Sequence, residues 1–205
     1  MVVIHYTAMQ SAAGALRALC DPVREVSAHY LIAEDGEVLS LVPEAMRAWH
    51  AGAGRWGAVT DVNSHSVGIE LANDGCSPFA APQMDALTDL LKGICARWDI
   101  RPERVIGHAD MAPGRKIDPG RRFDWRRLAR AGRSIWPATQ RAPIDQFVPM
   151  MRAFGYTADA DADLLLDVFR MRFRPFANGP LDTIDAGMIT DLATRFPVDV
   201  NATWA

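Results

Sequence analysis

The chain has 205 residues, of which 49% are hydrophobic and 23% charged, enough apolar material for one sizeable buried core and at most a small second one. Its formal net charge is −3, so there is no general electrostatic attraction to nucleic acid or to anionic membranes, and neither is expected as a partner. No run approaches the ~18 apolar residues of a membrane-spanning helix.

Taken in chain order, VVIHY is a short β-branched run that reads as a buried strand, and SAAGALRALC after it has the composition and spacing of a short amphipathic helix. The segment SAHYLIAEDGEVLSLV puts Asp35-Gly36 between two apolar runs, a hairpin signal, because both turn residues tolerate positive φ. VGIEL, from Val67 to Leu71, reads as a central strand. From Pro82 to Trp98 the apolar residues Met84, Leu87, Leu90, Leu91, Ile94 and Trp98 recur at intervals of three and four, which predicts a helix. RVIGH is then a strand ending at His108, and FDWRRLARAG a helix whose arginines form a solvated face. This order predicts an α/β fold with a sheet flanked by helices.

Composition changes after Trp136. Residues 1–135 form the expected main domain, PATQRAPID within 136–145 a linker, and 146–205 a small helical domain. Within that domain the expected helices run up to Gly155, over Ala162 to Phe173, and over Asp185 to Phe196. Trp136, Phe147, Phe154, Phe169, Phe173 and Phe176 offer apolar surface for packing against the main domain. Three cysteines, Cys20, Cys76 and Cys95, suit reduced thiols better than a disulfide framework. With no leader visible in MVVIHYTAMQSAAG, they predict a cytoplasmic protein, the alternative being a periplasmic one whose leader has been removed.

The chemistry concentrates in GHADMAPGRKIDPG, residues 107–120. A hydrolytic metal site takes three protein ligands and keeps a position open. Among the histidines at 5, 29, 50, 65 and 108, His5 and His108 both end expected strands, and Asp118 lies on the loop beyond, so the three can converge at one edge of the sheet. Each alone also suits a structural role: a histidine at a strand end can be a hydrogen-bonded residue, and Asp118 before Pro-Gly a turn former. The residues by themselves stop at a metal hydrolase as one reading.

Four blocks, IHYTA, AHYLIAEDGEVLSLVPEAMRAWHAG, NSHSVGIEL and GHADMAPGRKIDPG, resemble in order and spacing the zinc-dependent N-acetylmuramoyl-L-alanine amidases of the AmpD and AmiD type, relatives of the peptidoglycan recognition proteins. The resemblance covers residues 3 to about 130, and the helical tail is similar, diffusely, to the small peptidoglycan-binding-type domain of the AmiD branch. It implies a central mixed β-sheet flanked by helices, a Zn2+ ion on His5, His108 and Asp118, and a catalytic pair of Glu70 and Lys116. In amide hydrolysis Glu70 is then the general base that takes the proton of water, and Lys116 the cation that stabilises the oxyanion.

The resemblance also places Trp49 and His50 on the substrate cleft, while Arg115 is a candidate to grip a peptide carboxylate. His29 is expected near the site floor, His65 at the surface, and Asp110 bonded to its own loop. The implied substrate is a muropeptide cut between N-acetylmuramic acid and L-alanine, in its soluble 1,6-anhydro form if the protein is cytoplasmic. Intact peptidoglycan cut by an exported enzyme, noncatalytic binding of peptidoglycan, and hydrolysis of another small amide are the competing readings. The complete set of five residues favours an enzyme.

Overall fold

The computed structural model describes residues 1–198. A five-stranded mixed sheet has the order β3-β2-β4-β1-β5, with β1 Val2–Tyr6, β2 Tyr30–Ile32, β3 Val38–Ser40, β4 Val67–Leu71 and β5 Val105–Gly107. Strands β2, β4, β1 and β5 run parallel, and β3 closes one edge antiparallel to β2 through the expected hairpin. Its turn needs Gly36 at φ 93°, and Asp35 Oδ1 accepts the Glu37 N–H at 3.0 Å.

Alternation along the strands sends successive side chains to opposite faces. Val2, Ile4, Ile69, Leu71 and Val105 pack against Met84, Leu87, Leu91 and Ile94 of helix α2, Ala81–Trp98, and against Trp125 and Leu128 of helix α4, Trp125–Arg130. Pro82 stands in the first turn of α2, and the buried Gln83 amide there donates to the carbonyls of Ile32 and Ala72. On the opposite face, helix α1, Ala12–Leu19, capped by Ser11, covers Leu31.

The rest of that face is covered by the loop around Trp56 and by helices α5 Phe147–Phe154, α6 Ala162–Phe173 and α7 Thr183–Arg195. The three expected helices are present within a residue or two of their predicted bounds. Their apolar side does not close on itself: Phe147, Phe154 and Phe169 share one buried cluster with Val3, Ile106, Trp56 and Met111. The Trp56 ring lies 5.6 Å from that of Phe154 and 4.9 Å from that of Tyr156. Phe176, expected among these contacts, is instead 92% exposed, in the turn that follows the end of α6. The stretch expected as a linker runs along α7, with the Ala138 N–H held by Asp191 and the Gln140 amide donating to the Gly187 carbonyl. A buried pair, Arg170 with Asp185 at 2.5 Å, ties α6 to α7. Among the described residues no helix is long and apolar enough to cross a membrane.

Candidate active site

The carboxyl ends of parallel strands, where loops diverge, are where open α/β sheets place their sites, and this chain follows that rule. His5 lies at the end of β1 in register with Glu70 of β4, so both side chains leave the sheet on one face. His108, expected as the last residue of a strand, instead opens a one-turn helix, α3 His108–Met111. The chain bends there because the Asp110 carboxylate reaches back to accept the Gly107 N–H at 2.7 Å. The loop beyond returns Asp118, whose carbonyl accepts the Ala109 N–H.

These elements bring His5 Nδ1, His108 Nδ1 and Asp118 Oδ2 within 2.9 to 3.0 Å of one another, all three residues buried. The partners of the far nitrogens indicate the tautomer of each neutral ring. The His108 Nε2–H donates to the Ala51 carbonyl at 2.8 Å, which leaves the lone pair of a neutral ring on Nδ1. Ser66 donates its hydroxyl to the Val62 carbonyl, so its oxygen accepts from His50 Nε2–H, and His50 Nδ1 in turn accepts from His5 Nε2–H at 3.0 Å. His5 therefore also presents a lone pair. Burial lowers its pKa to about 4 and holds that of His50 well below the usual range.

Three lone-pair atoms facing one point repel unless a proton or a cation sits among them. Tetrahedral ligands with bonds of about 2.0 to 2.2 Å stand roughly 3.3 Å apart, close to the spacing found. The cluster could hold a metal ion, and two nitrogens with one carboxylate are a donor set suited to zinc.

The corner opens into a pocket of about 700 Å³, bordered by Tyr6, Trp49, Glu70, Lys116 and Ile117. Glu70 is partly open to this pocket, yet its Oε2 is shielded and has no hydrogen-bond partner. Burial and the nearby Asp118 carboxylate push its pKa up to about 8, against the opposing pull of Lys116.

His50 and Arg115 border the pocket, with both ring nitrogens of His50 and the Nη2 of Arg115 bonded to other parts of the protein. Both ring nitrogens of His50 are committed to His5 and Ser66. Its ring lies so close over β4 that a Cβ on Gly68 would meet it at 2.3 Å, so only glycine fits there. Arg115 Nη2 donates to the carbonyls of Ala51 and Ala53 and so clamps the loop that holds His108. Trp49 is 56% exposed at the rim, under the Arg47 guanidinium. His29 lies under the floor, accepting the Gly68 N–H and donating to the Met46 carbonyl, and His65 is exposed. Sequence reasoning missed Asn63, whose Oδ1 accepts the N–H groups of His50 and Ala51, and the partners of Asp110 described below. Nothing in the local pattern marks an asparagine for that task.

Comparison with known proteins agrees with this geometry. The profile of the N-acetylmuramoyl-L-alanine amidase family matches residues 1–121. The chain is a member of that family. It is 35% identical to the N-acetylmuramoyl-L-alanine amidase AmiD of Escherichia coli, over 97% of this chain and 84% of AmiD. It is 39% identical to the 1,6-anhydro-N-acetylmuramyl-L-alanine amidase AmpD of Enterobacter cloacae, over 50% of this chain and 55% of AmpD. The similarity to AmpD thus spans half of this chain, whereas that to AmiD spans nearly all of it, the helical layer included. Among solved structures, E. coli AmiD with anhydro-N-acetylmuramic acid-L-Ala-D-gamma-Glu-L-Lys superposes with a TM-score of 0.86 at 33% identity, covering 96% of this chain and 89% of AmiD. Pseudomonas aeruginosa AmpDh3 with anhydromuramic pentapeptide gives 0.86 at 32% identity, covering 97% and 92%. The fold of this amidase family member is accordingly that of AmiD and AmpDh3, helices included.

Proposed function

We propose that this amidase hydrolyses the amide between N-acetylmuramic acid and L-alanine in muropeptides, with zinc held by His5, His108 and Asp118. The observation that carries the reading is the unpartnered, shielded Oε2 of Glu70 beside a three-ligand corner, at the floor of a pocket. A noncatalytic binding protein has no use for an acid so placed, since a buried carboxylate oxygen without a partner lowers stability.

Zinc bound at such a corner supplies Lewis-acid polarisation of a carbonyl and acidification of water. Glu70 takes the proton of the attacking water and delivers it to the nitrogen of the departing L-alanine, a transfer favoured by a carboxyl whose pKa lies near neutrality. The Lys116 ammonium, on the wall of the same pocket, stabilises the negative charge that develops on the carbonyl oxygen. Trp49 offers an exposed apolar face at the rim for the sugar or peptide. The engagement of His50 with His5 supports a role in orienting that ligand.

For the substrate form we infer soluble 1,6-anhydro-muropeptides, acted on in the cytoplasm as wall fragments are recycled. The ligands named for AmiD and AmpDh3 are anhydro-muropeptides, and Cys20, Cys76 and Cys95 are free thiols, as reducing compartments favour. The test offers the zinc-loaded protein purified anhydro-muropeptide and intact sacculi and follows free peptide by mass spectrometry, alongside cell fractionation. Peptide released faster from the anhydro-muropeptide, by a protein found in the cytosol, is expected. Preference for sacculi, or an extracytoplasmic protein, would overturn the substrate form, and no release from either would overturn the activity.

A further inference from the structure

We propose that the helical layer is a working part of the metal corner, and that Arg172 and Tyr156 are positioning residues acting through Asp110 on the helical turn that carries His108. The inference rests on the reading of His108 as a metal ligand.

Asp110 is 2% exposed and stands two residues after His108. One oxygen, Oδ2, accepts the Gly107 N–H at 2.7 Å and Arg172 Nη1 at 2.7 Å, while the other, Oδ1, accepts the Tyr156 hydroxyl at 2.5 Å. The bond to Gly107 makes the chain leave β5 and start α3 at His108, and the partners that hold the carboxylate for it both come from the helical layer. Arg172, on α6, is itself 3% exposed. Its Nη2 donates to the carbonyl of Val105, the first residue of β5, and to Ser134 Oγ, and its guanidinium lies 4.3 Å above the Trp125 ring. One side chain thus grips both the beginning of β5 and the turn that ends it, with His108 next in the chain.

A buried aspartate with only the Gly107 N–H to satisfy it would draw water or turn toward another donor. Either motion releases the first turn of α3 and tilts His108 away from His5 and Asp118. The other holds nearby, the Ala51 carbonyl on the His108 ring, the Asp118 carbonyl on the Ala109 N–H and the Arg55 N–H on the Met111 carbonyl, come from separate loops, and none of them bonds Gly107, where the chain leaves β5. Residues that orient a metal ligand from behind typically change metal affinity or activity by about tenfold to a hundredfold.

The test uses Tyr156→Phe, which removes a single oxygen, and Arg172→Lys, which keeps the charge but loses the planar fork. Leu192→Ala serves as the control, since it opens a cavity in α7 within the same apolar cluster and away from Asp110. Zinc affinity is measured by chelator competition on folded protein, together with the melting temperature and the kcat and KM for peptide release. Tyr156→Phe and Arg172→Lys are expected to weaken zinc binding about tenfold and to lower kcat with KM little changed. The control should lose melting temperature while retaining the zinc affinity of the parent. Parent-like zinc affinity in both variants would overturn the proposal, as would an equal loss of affinity in Leu192→Ala. A parent that binds zinc but releases no peptide would refute the amidase reading alone, because the affinity comparison does not depend on substrate.

Discussion

On the face covered by α2 and α4, Val2, Ile4, Ile69 and Leu71 meet Met84, Leu87, Leu91 and Ile94. On the opposite face their immediate neighbours are Val3, His5, Gly68 and Glu70, and there the layer of side chains turns from apolar at the start of the strands to ionisable at their carboxyl ends. The same two strands build both. One face is apolar and buried, while the other keeps a carboxylate oxygen without a partner and a trio of ligand-type atoms crowded within 3.0 Å of one another. The first is a scaffold rigid enough to hold the second in a geometry that it would not adopt alone.

The comparison is broken most completely by removing the metal. Chelation, or His108→Ala, is expected to abolish peptide release and, for the variant, to leave the isolated protein without stoichiometric zinc by elemental analysis. A variant that retains both zinc and turnover would dissolve the polar face as a site. Next in size is Glu70→Gln, expected to keep zinc but lower kcat by about 10² to 10⁴, the usual share of a general base. Lys116→Met should follow with about 10² to 10³.

The Glu70 substitution also sharpens the contrast in stability. Burial raises the folded-state pKa of Glu70 to about 8, above its unfolded value, so ionising it opposes folding. In zinc-free protein, stability should therefore fall as pH climbs from the ordinary glutamate range toward 8, and Glu70→Gln should flatten that slope in chemical denaturation. Equal slopes in the two proteins would mean that the carboxyl is solvated. The smallest effect on chemistry is expected from the apolar face. Leu87→Ala should cost about 2 to 5 kcal/mol of stability while leaving zinc content and turnover per folded molecule unchanged.

Much of the scaffold was legible because its rules are local. A β-branched run marked β1, a short apolar-rich run marked β4, spacing of three and four marked α2, and Asp35-Gly36 marked the hairpin, each within a short stretch of chain. The candidate ligands His5, His108 and Asp118 were legible through chemical type and position at expected strand ends, and Glu70 and Lys116 through resemblance to a family. The end of β5 was misplaced by one residue, since the bend at His108 depends on Asp110, whose carboxylate is held by side chains 46 and 62 residues away. His50 and Arg115 were placed at the pocket, but not with their polar atoms turned to His5 and to the carbonyls of 51 and 53.

By itself, then, the sequence determined the elements, the chemical types at the carboxyl ends of the strands, and the membership of the chain in an amidase family. Only the tertiary structure decided which nitrogen of each histidine faces the common point, that Glu70 Oε2 lacks a partner, and that the three C-terminal helices share a core with the sheet. The physical reason is one of range. Propensity and periodicity act between neighbours in the chain, whereas tautomers, orphaned atoms and shared cores are settled by groups that meet only after distant segments have packed together.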